Sequence, residues 1–170
     1  TKLTINTQPS TTGTSGAVLS TPSVVQIQDA EGNIVTNSTA PVTAKVSPGG
    51  ILGGTTTVNA VNGVATFTDL TLAGLTQTSH TIQFSSIGLI GSTSSTLWIT
   101  KAGDAVRLGV KKKPVAALSG SPLSDQPVIE IRDSGGNLAS SPDQISVDIM
   151  SGAGGNLLGT KTVTPSSGTA

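Results

Sequence analysis

The chain is 170 residues long, with nine basic and nine acidic residues that cancel, 11% charged and 2% aromatic residues, and no Cys. A balanced charge provides no long-range field for a nucleic-acid backbone or an anionic membrane, and no apolar run is long enough to span a bilayer. Without Cys there are no disulfides, no thiol catalysis and no Cys-based zinc sites, so stability has to come from packing.

The 26 Thr, 22 Ser, 21 Gly and 9 Pro favour strands and turns, because Thr suits a pleated surface while Gly, Pro and Ser interrupt helices. A mean hydropathy of +0.14 with so little charge predicts a folded chain. Leu3 and Ile5 alternate with Thr4 and Asn6, which predicts a first strand ended by Pro9. The polar stretch Ser10 to Ser15 is expected to be a loop. Val25 and Ile27 then alternate with Gln26 and Gln28, and Val42, Ala44 and Val46 with Thr43, Lys45 and Ser47. The same period of two runs through Val58 and Ala60, Val64 to Phe67, Leu70 and Leu72, Ile82 and Phe84, and Leu97 and Ile99. About seven strands and no helical period predict an all-β sandwich. Its expected core is Leu3, Ile5, Val25, Ile27, Val42, Ala44, Val46, Phe67, Ile82, Phe84, Leu97 and Ile99. Lys101 to Asp104 is a short junction, suited to a semi-rigid pair of domains.

Beyond the junction the sequence repeats. Leu3 to Pro9 matches Leu108 to Pro114, Val25 to Ile34 matches Ile129 to Leu138, Leu52 to Val58 matches Leu157 to Val163, and Gly63 to Ala65 matches Gly168 to Ala170. The offset is 104 to 105 residues, slipping to 103 between Val42 and Ile145, so the period is one small β domain. The second copy has no counterpart of Thr66 to Gly103. Its Ile129, Ile131, Val147 and Ile149 are therefore expected to lack the cover that the first copy supplies, and to contact a strand from a neighbouring repeat or an identical subunit. Thr1 opens no recognisable secretion signal, so the chain reads as a mature or excised piece of something longer.

The frame Leu-x-Ile-x-Thr-Gln-Pro at 3 to 9, Pro22, Val25-x-Ile-x-Asp-Ala-x-Gly-Asn33, and Gly63-Val-Ala-Thr-Phe67 followed by Leu70 resembles the bacterial Ig-like repeats of large surface and secreted adhesins. It is also similar to the invasin/intimin and filamin Ig plan. The resemblance covers all of the first copy and two-thirds of the second. It implies a complete Ig-like β-sandwich at 1–101 and a second Ig-like repeat at 102–170 that lacks its last strands. It further implies an extracellular, cell-surface or secreted protein that is not an enzyme, acting as a stalk or cell-adhesion segment, and it brings no catalytic residues. Two alternatives stay open. One is a filament subunit whose second domain is completed by strand addition; the other is a carbohydrate-binding module directed at a host or surface glycan.

Candidate sites are few. Asp29 to Asn33 and Asp133 to Asn137 have turn composition, but Asp29, Asn33, Asp133 and Asn137 are also the only candidates for a Ca²⁺ loop, which needs six to eight oxygens. Glu31 and Asp104 could assist only if the fold joined them to that loop. No cofactor is otherwise expected. His80, the single His, cannot build a His cluster and is expected at a strand edge. Glu130 and Asp148 lie on the polar side of alternating strands, where solvated charges belong. Lys111, Lys112 and Lys113 replace neutral Asn6, Thr7 and Gln8 and read as a solvated edge that blocks sheet pairing. The Gly pairs at 49–50 and 53–54 lack the Lys-Ser/Thr ending of a phosphate loop. Asn37-Ser38-Thr39 is a formal glycosylation sequon. A Lys-Asn isopeptide crosslink finds no support, because Lys45 and Lys101 occupy polar positions. Trp98 alternates out of phase with Leu97 and Ile99 and is the candidate platform for a partner or a sugar.

Overall fold

Each stretch of alternation in the first copy contributes a strand to the computed structural model, which describes residues 1–115, 118–150 and 155–170, whereas the alternation from Ile145 to Ile149 is a strand only over Ile145–Ser146. Among the described residues there is no helix, so none that could cross a membrane. The strands are β1 (Lys2–Thr7), β2 (Thr12–Thr14), β3 (Ser23–Gln28), β4 (Pro41–Ser47), β5 (Ile51–Gly53), β6 (Thr57–Asn59), β7 (Val64–Phe67), β8 (Thr71–Ala73), β9 (Ser79–Ser85), β10 (Ser92–Thr93), β11 (Leu97–Lys101), β12 (Arg107–Lys112), β13 (Val128–Arg132), β14 (Ile145–Ser146) and β15 (Thr162–Val163). The chain divides into two units. Thr1–Gly103 with Ser134–Asn137 forms the first, and Asp104–Asp133 with Leu138–Ala170 the second.

In the first unit, β1, β3 and β7 form a three-stranded antiparallel sheet, and β2, β11, β9, β4 and β6 lie side by side in a second sheet, with β10 also on β9. β5 pairs separately with β8. Leu3, Val25, Ile27, Ala65 and Phe67 from the first sheet join Val42, Ala44, Ile82, Phe84, Leu97 and Ile99 from the second in one apolar cluster. This packing is sandwich-like. The Phe67 and Phe84 rings meet at 5.2 Å between centroids, tilted by 48°, a favoured aromatic geometry. Ile5 and Val46 are half-buried against the cluster, and Leu19, Leu70 and Leu72 add to it.

The expected loop at Ser10 to Ser15 contains β2, which pairs parallel to β11 with Thr12 opposite Trp98 and Gly13 opposite Ile99. A three-residue Thr-Gly-Thr strand has no apolar alternation to reveal it; its pairing is carried by backbone groups, such as the Trp98 N–H donating to Thr11 O at 2.8 Å. Short strands of this kind raise the first unit from about seven expected strands to eleven.

β6 reaches β7 through Asn62 and Gly63, with φ of 51° and 77°. Val61 and Val64 exchange both backbone hydrogen bonds across them, at 2.9 and 3.0 Å. Two successive positive φ values give the twist that a two-residue hairpin needs, and Asn-Gly is the pair that accepts them.

Two strand pairs and one hairpin of the second unit repeat the register of the first. In β1 and β3, Leu3 faces Ile27, Ile5 faces Val25, and a bulge lies between Ile5 and Thr7; in β12 and β13, Leu108 faces Ile131, Val110 faces Ile129, and the bulge lies between Val110 and Lys112. Val42 faces Val58 and Thr43 faces Thr57, just as Ile145 faces Val163 and Ser146 faces Thr162. The hairpin recurs at Ser167 and Gly168, with φ of 49° and 78°. Beyond it, Thr169 bridges to Glu130.

Candidate functional site

Trp98 sits where its alternation places it. Leu97 and Ile99 are fully buried while Trp98 is 47% exposed, between Thr12 of β2 and Ser79 of β9. A large amphipathic ring beside hydroxyl side chains can stack on a sugar face or a partner side chain.

The Asp29 to Asn33 segment is a turn closed on itself. The Asn33 N–H donates to Asp29 Oδ1 at 2.8 Å and the Asn33 side-chain amide to Asp29 Oδ2 at 3.1 Å, while the Asp29 N–H donates to Asn33 O at 3.0 Å. These bonds, from the Asn33 side chain first and its backbone second, hold the Asp29 carboxyl below the usual carboxylate range. Gly32, at φ 94°, supplies the left-handed residue. In the corresponding segment Gly136 has φ 96° and Asp133 is fully buried. Asn137, part of the first unit, accepts from the Thr76 N–H at 2.7 Å and donates to Gly74 O at 2.8 Å. Glu31 and Asp104 are exposed. Among the described residues, no group of three His, Cys, Asp or Glu side chains is placed to hold a metal ion.

His80 is not at an exposed strand edge. It is buried in β9, between β11 and β4, with Nδ1 at 2.8 Å from Pro48 O and Nε2 at 2.9 Å from Thr78 Oγ1. Both ring nitrogens are thus engaged in structural bonds.

Glu130 departs from the solvated position expected of it, being only 8% exposed. Its carboxylate accepts a hydrogen bond from Arg132 and lies 3.5 Å from Lys111 Nζ. The Arg132 hydrogen bond chiefly, with the charges of Arg132 and Lys111, holds its carboxyl below the usual range against the opposing effect of burial. Lys112 reaches Asp125 at 2.5 Å. The lysine cluster therefore carries specific partners as well as a solvated edge; Asp148 stays exposed.

The four apolar positions of the second unit separate into two pairs. Ile131 is buried and Ile129 half-buried, whereas Val147 and Ile149 are exposed. The expectation that all four stand open is corrected for the β13 pair, because residues 138–139 and 168–170 close around that strand: the Ala139 N–H donates to Ile131 O, and the Ile131 N–H to Gly168 O. A groove of about 360 Å³ remains, lined by Arg107, Leu108, Ile131, Asp143, Ile145 and Ser146 among others.

Sequence reasoning missed Asp69. Its carboxylate receives the Thr55 N–H at 3.0 Å and the Thr55 hydroxyl at 2.8 Å, and these two bonds hold the carboxyl below its usual range. The partners lie fourteen residues apart, and no local motif marks them.

Compared with models of known protein families and with curated proteins, the chain matches none.

Proposed function

We propose that this chain is a non-enzymatic, extracellular module of tandem Ig-like β-sandwich repeats, acting as a stalk or cell-adhesion segment of a bacterial surface protein. The observation that carries this reading is the repetition of register, bulge and hairpin between β1–β3 and β12–β13, while the outward residues change freely from Asn6-Thr7-Gln8 to Lys111-Lys112-Lys113. Reuse of one frame with variable exposed side chains is how repeat arrays set length and surface independently of chemistry. Antibodies raised against the chain test the location: labelling of intact cells of the source organism supports the reading, and labelling only after lysis contradicts it.

The exposed ring of Trp98 favours a second reading, a glycan-binding module. Glycan-array binding by the chain that disappears in Trp98→Ala would support it, and its absence would leave the stalk reading alone.

A further inference from the structure

Ser79 belongs to two surface features of the first unit. It stands opposite Trp98 in the pairing of β9 with β11, and residues directly opposite one another in a pair share a face of the sheet. It also lines a groove of about 430 Å³ together with Pro48, Gly49, Gly50, Ile51 and Leu75, residues that all belong to the first unit. Ile51 is 64% and Leu75 54% exposed, so the groove offers apolar side chains to solvent. Gly49 and Gly50, with φ of 56° and 77°, add bare backbone to its lining, which lets a ligand approach closely. The groove has no Asp, Glu, Lys or Arg in its lining, and both ring nitrogens of His80, which also lines it, are already bonded. A charged ligand group would find no counter-charge there. β9 and β11 each have a strand on both sides, so neither has an open backbone edge for an added peptide strand.

We infer that the Trp98 ring and this groove form one binding site for an uncharged, equatorially linked oligosaccharide of N-acetylated amino sugars. The inference rests on the glycan reading of Trp98 and names its ligand. One sugar stacks its apolar face on the Trp98 ring. The next sugar crosses Ser79 into the groove, a short step because neighbouring strands lie only about 5 Å apart. Its acetamido group matches the lining: the methyl packs on Ile51 and Leu75, and the amide faces the Ser79 hydroxyl and the Gly49–Gly50 backbone. A plain hydroxyl in that place would leave the two apolar side chains without a partner, and an amine or a carboxylate would be desolvated unpaired. Equatorial linkages keep the sugar chain a flat ribbon, which suits a ring flanked across the sheet by the small side chains of Thr12 and Ser79.

Two tetrasaccharides of the same β-1,4 linkage, one of N-acetylglucosamine and one of glucose, differ only in the acetamido group. Calorimetric titration of each into the full 170-residue chain tests the inference. The N-acetylated probe is expected to bind at least about tenfold more tightly, the discrimination that one small apolar group gives in an apolar pocket, and to shift the amide resonances of Gly49, Gly50 and Ser79. Trp98→Ala should abolish binding of either probe, whereas Leu75→Asn, at an exposed position, should remove the preference alone. Equal affinity for the two probes, or a preference undiminished in Leu75→Asn, overturns the inference and leaves the glycan reading standing. Binding of neither probe overturns both.

Discussion

Ile129 and Ala170 exchange both backbone hydrogen bonds, Ile129 N–H to Ala170 O at 2.7 Å and Ala170 N–H to Ile129 O at 2.9 Å, in the same relation that sets Val25 opposite Ala65 in the first unit. The hairpin that returns the chain to this strand therefore has the same function twice, and its glycine is under the same constraint twice.

A Cβ added at Gly63 would lie 2.5 Å from Val35 O and 2.8 Å from Ile34 Cγ2, on a residue with φ 77°. Gly63→Ala should destabilise the first unit by at least about 1–3 kcal/mol, the range for a residue forced into a sparsely populated conformation, read as a lower urea midpoint. Gly168→Ala, whose Cβ would meet Ala139 O at 2.9 Å, should act on the second unit in the same direction. Ser167→Asn should act in the opposite direction, because Asn tolerates left-handed φ better than Ser. Unchanged midpoints in both alanine variants would remove the hairpin from the account.

Phe67→Ala empties the centre of the first unit, where Phe67 is 1% exposed and packs on Phe84. A loss of about 3–5 kcal/mol is expected for truncating a buried Phe, measured by denaturant unfolding. A change near zero would sink the packing assigned to β7 and β9.

Asp29 and Asp69 have carboxyls lowered from an ordinary value of 3.8 by bonds that exist only in the fold. A lowered carboxyl contributes stability that is fully present above its unfolded value and is lost as pH falls through its folded value. Stability should therefore hold from neutral pH down to the ordinary carboxylate range and decline below it. Asp69→Asn should lower neutral-pH stability and flatten the acid decline; an unaltered acid slope in that variant would show that Thr55 does not hold the carboxylate.

Both carboxylate oxygens of Asp29 already accept hydrogen bonds from Asn33, so adding EDTA should leave the Tm of the chain where it was. A large rise in Tm with added Ca²⁺ would replace the turn by a cation loop.

Alternation made the two facing sheets of the first unit legible, because Val25, Ile27, Val42, Ala44, Ile82 and Phe84 each place every second side chain in one core. The same rule separates Trp98 from Leu97 and Ile99. It is silent where backbone groups alone make the contact, as for β2 against β11, and where a bond closes across a long loop, as between Thr55 and Asp69. For Glu130 it gave the side of the strand correctly but not the burial of that side. Arg132, two residues on and on the same side, was the available signal, and the Arg132 hydrogen bond is what accompanies the buried carboxylate.

The two units share the register of two strand pairs but differ in the cover over β4 and β14. Amide hydrogen exchange on the dilute, monomeric chain measures both halves at once. Ile129, Ile131, Ala139, Val147 and Ala170, whose N–H groups are bonded as in the first unit, should exchange slowly, and Ser146 and Asp148 should exchange quickly, while their equivalents Thr43 and Lys45, which pair with Ser85 and Gln83 of β9, exchange slowly. Equal protection of Ser146, Asp148, Thr43 and Lys45 in a proven monomer would show instead that β4 and β14 are covered alike.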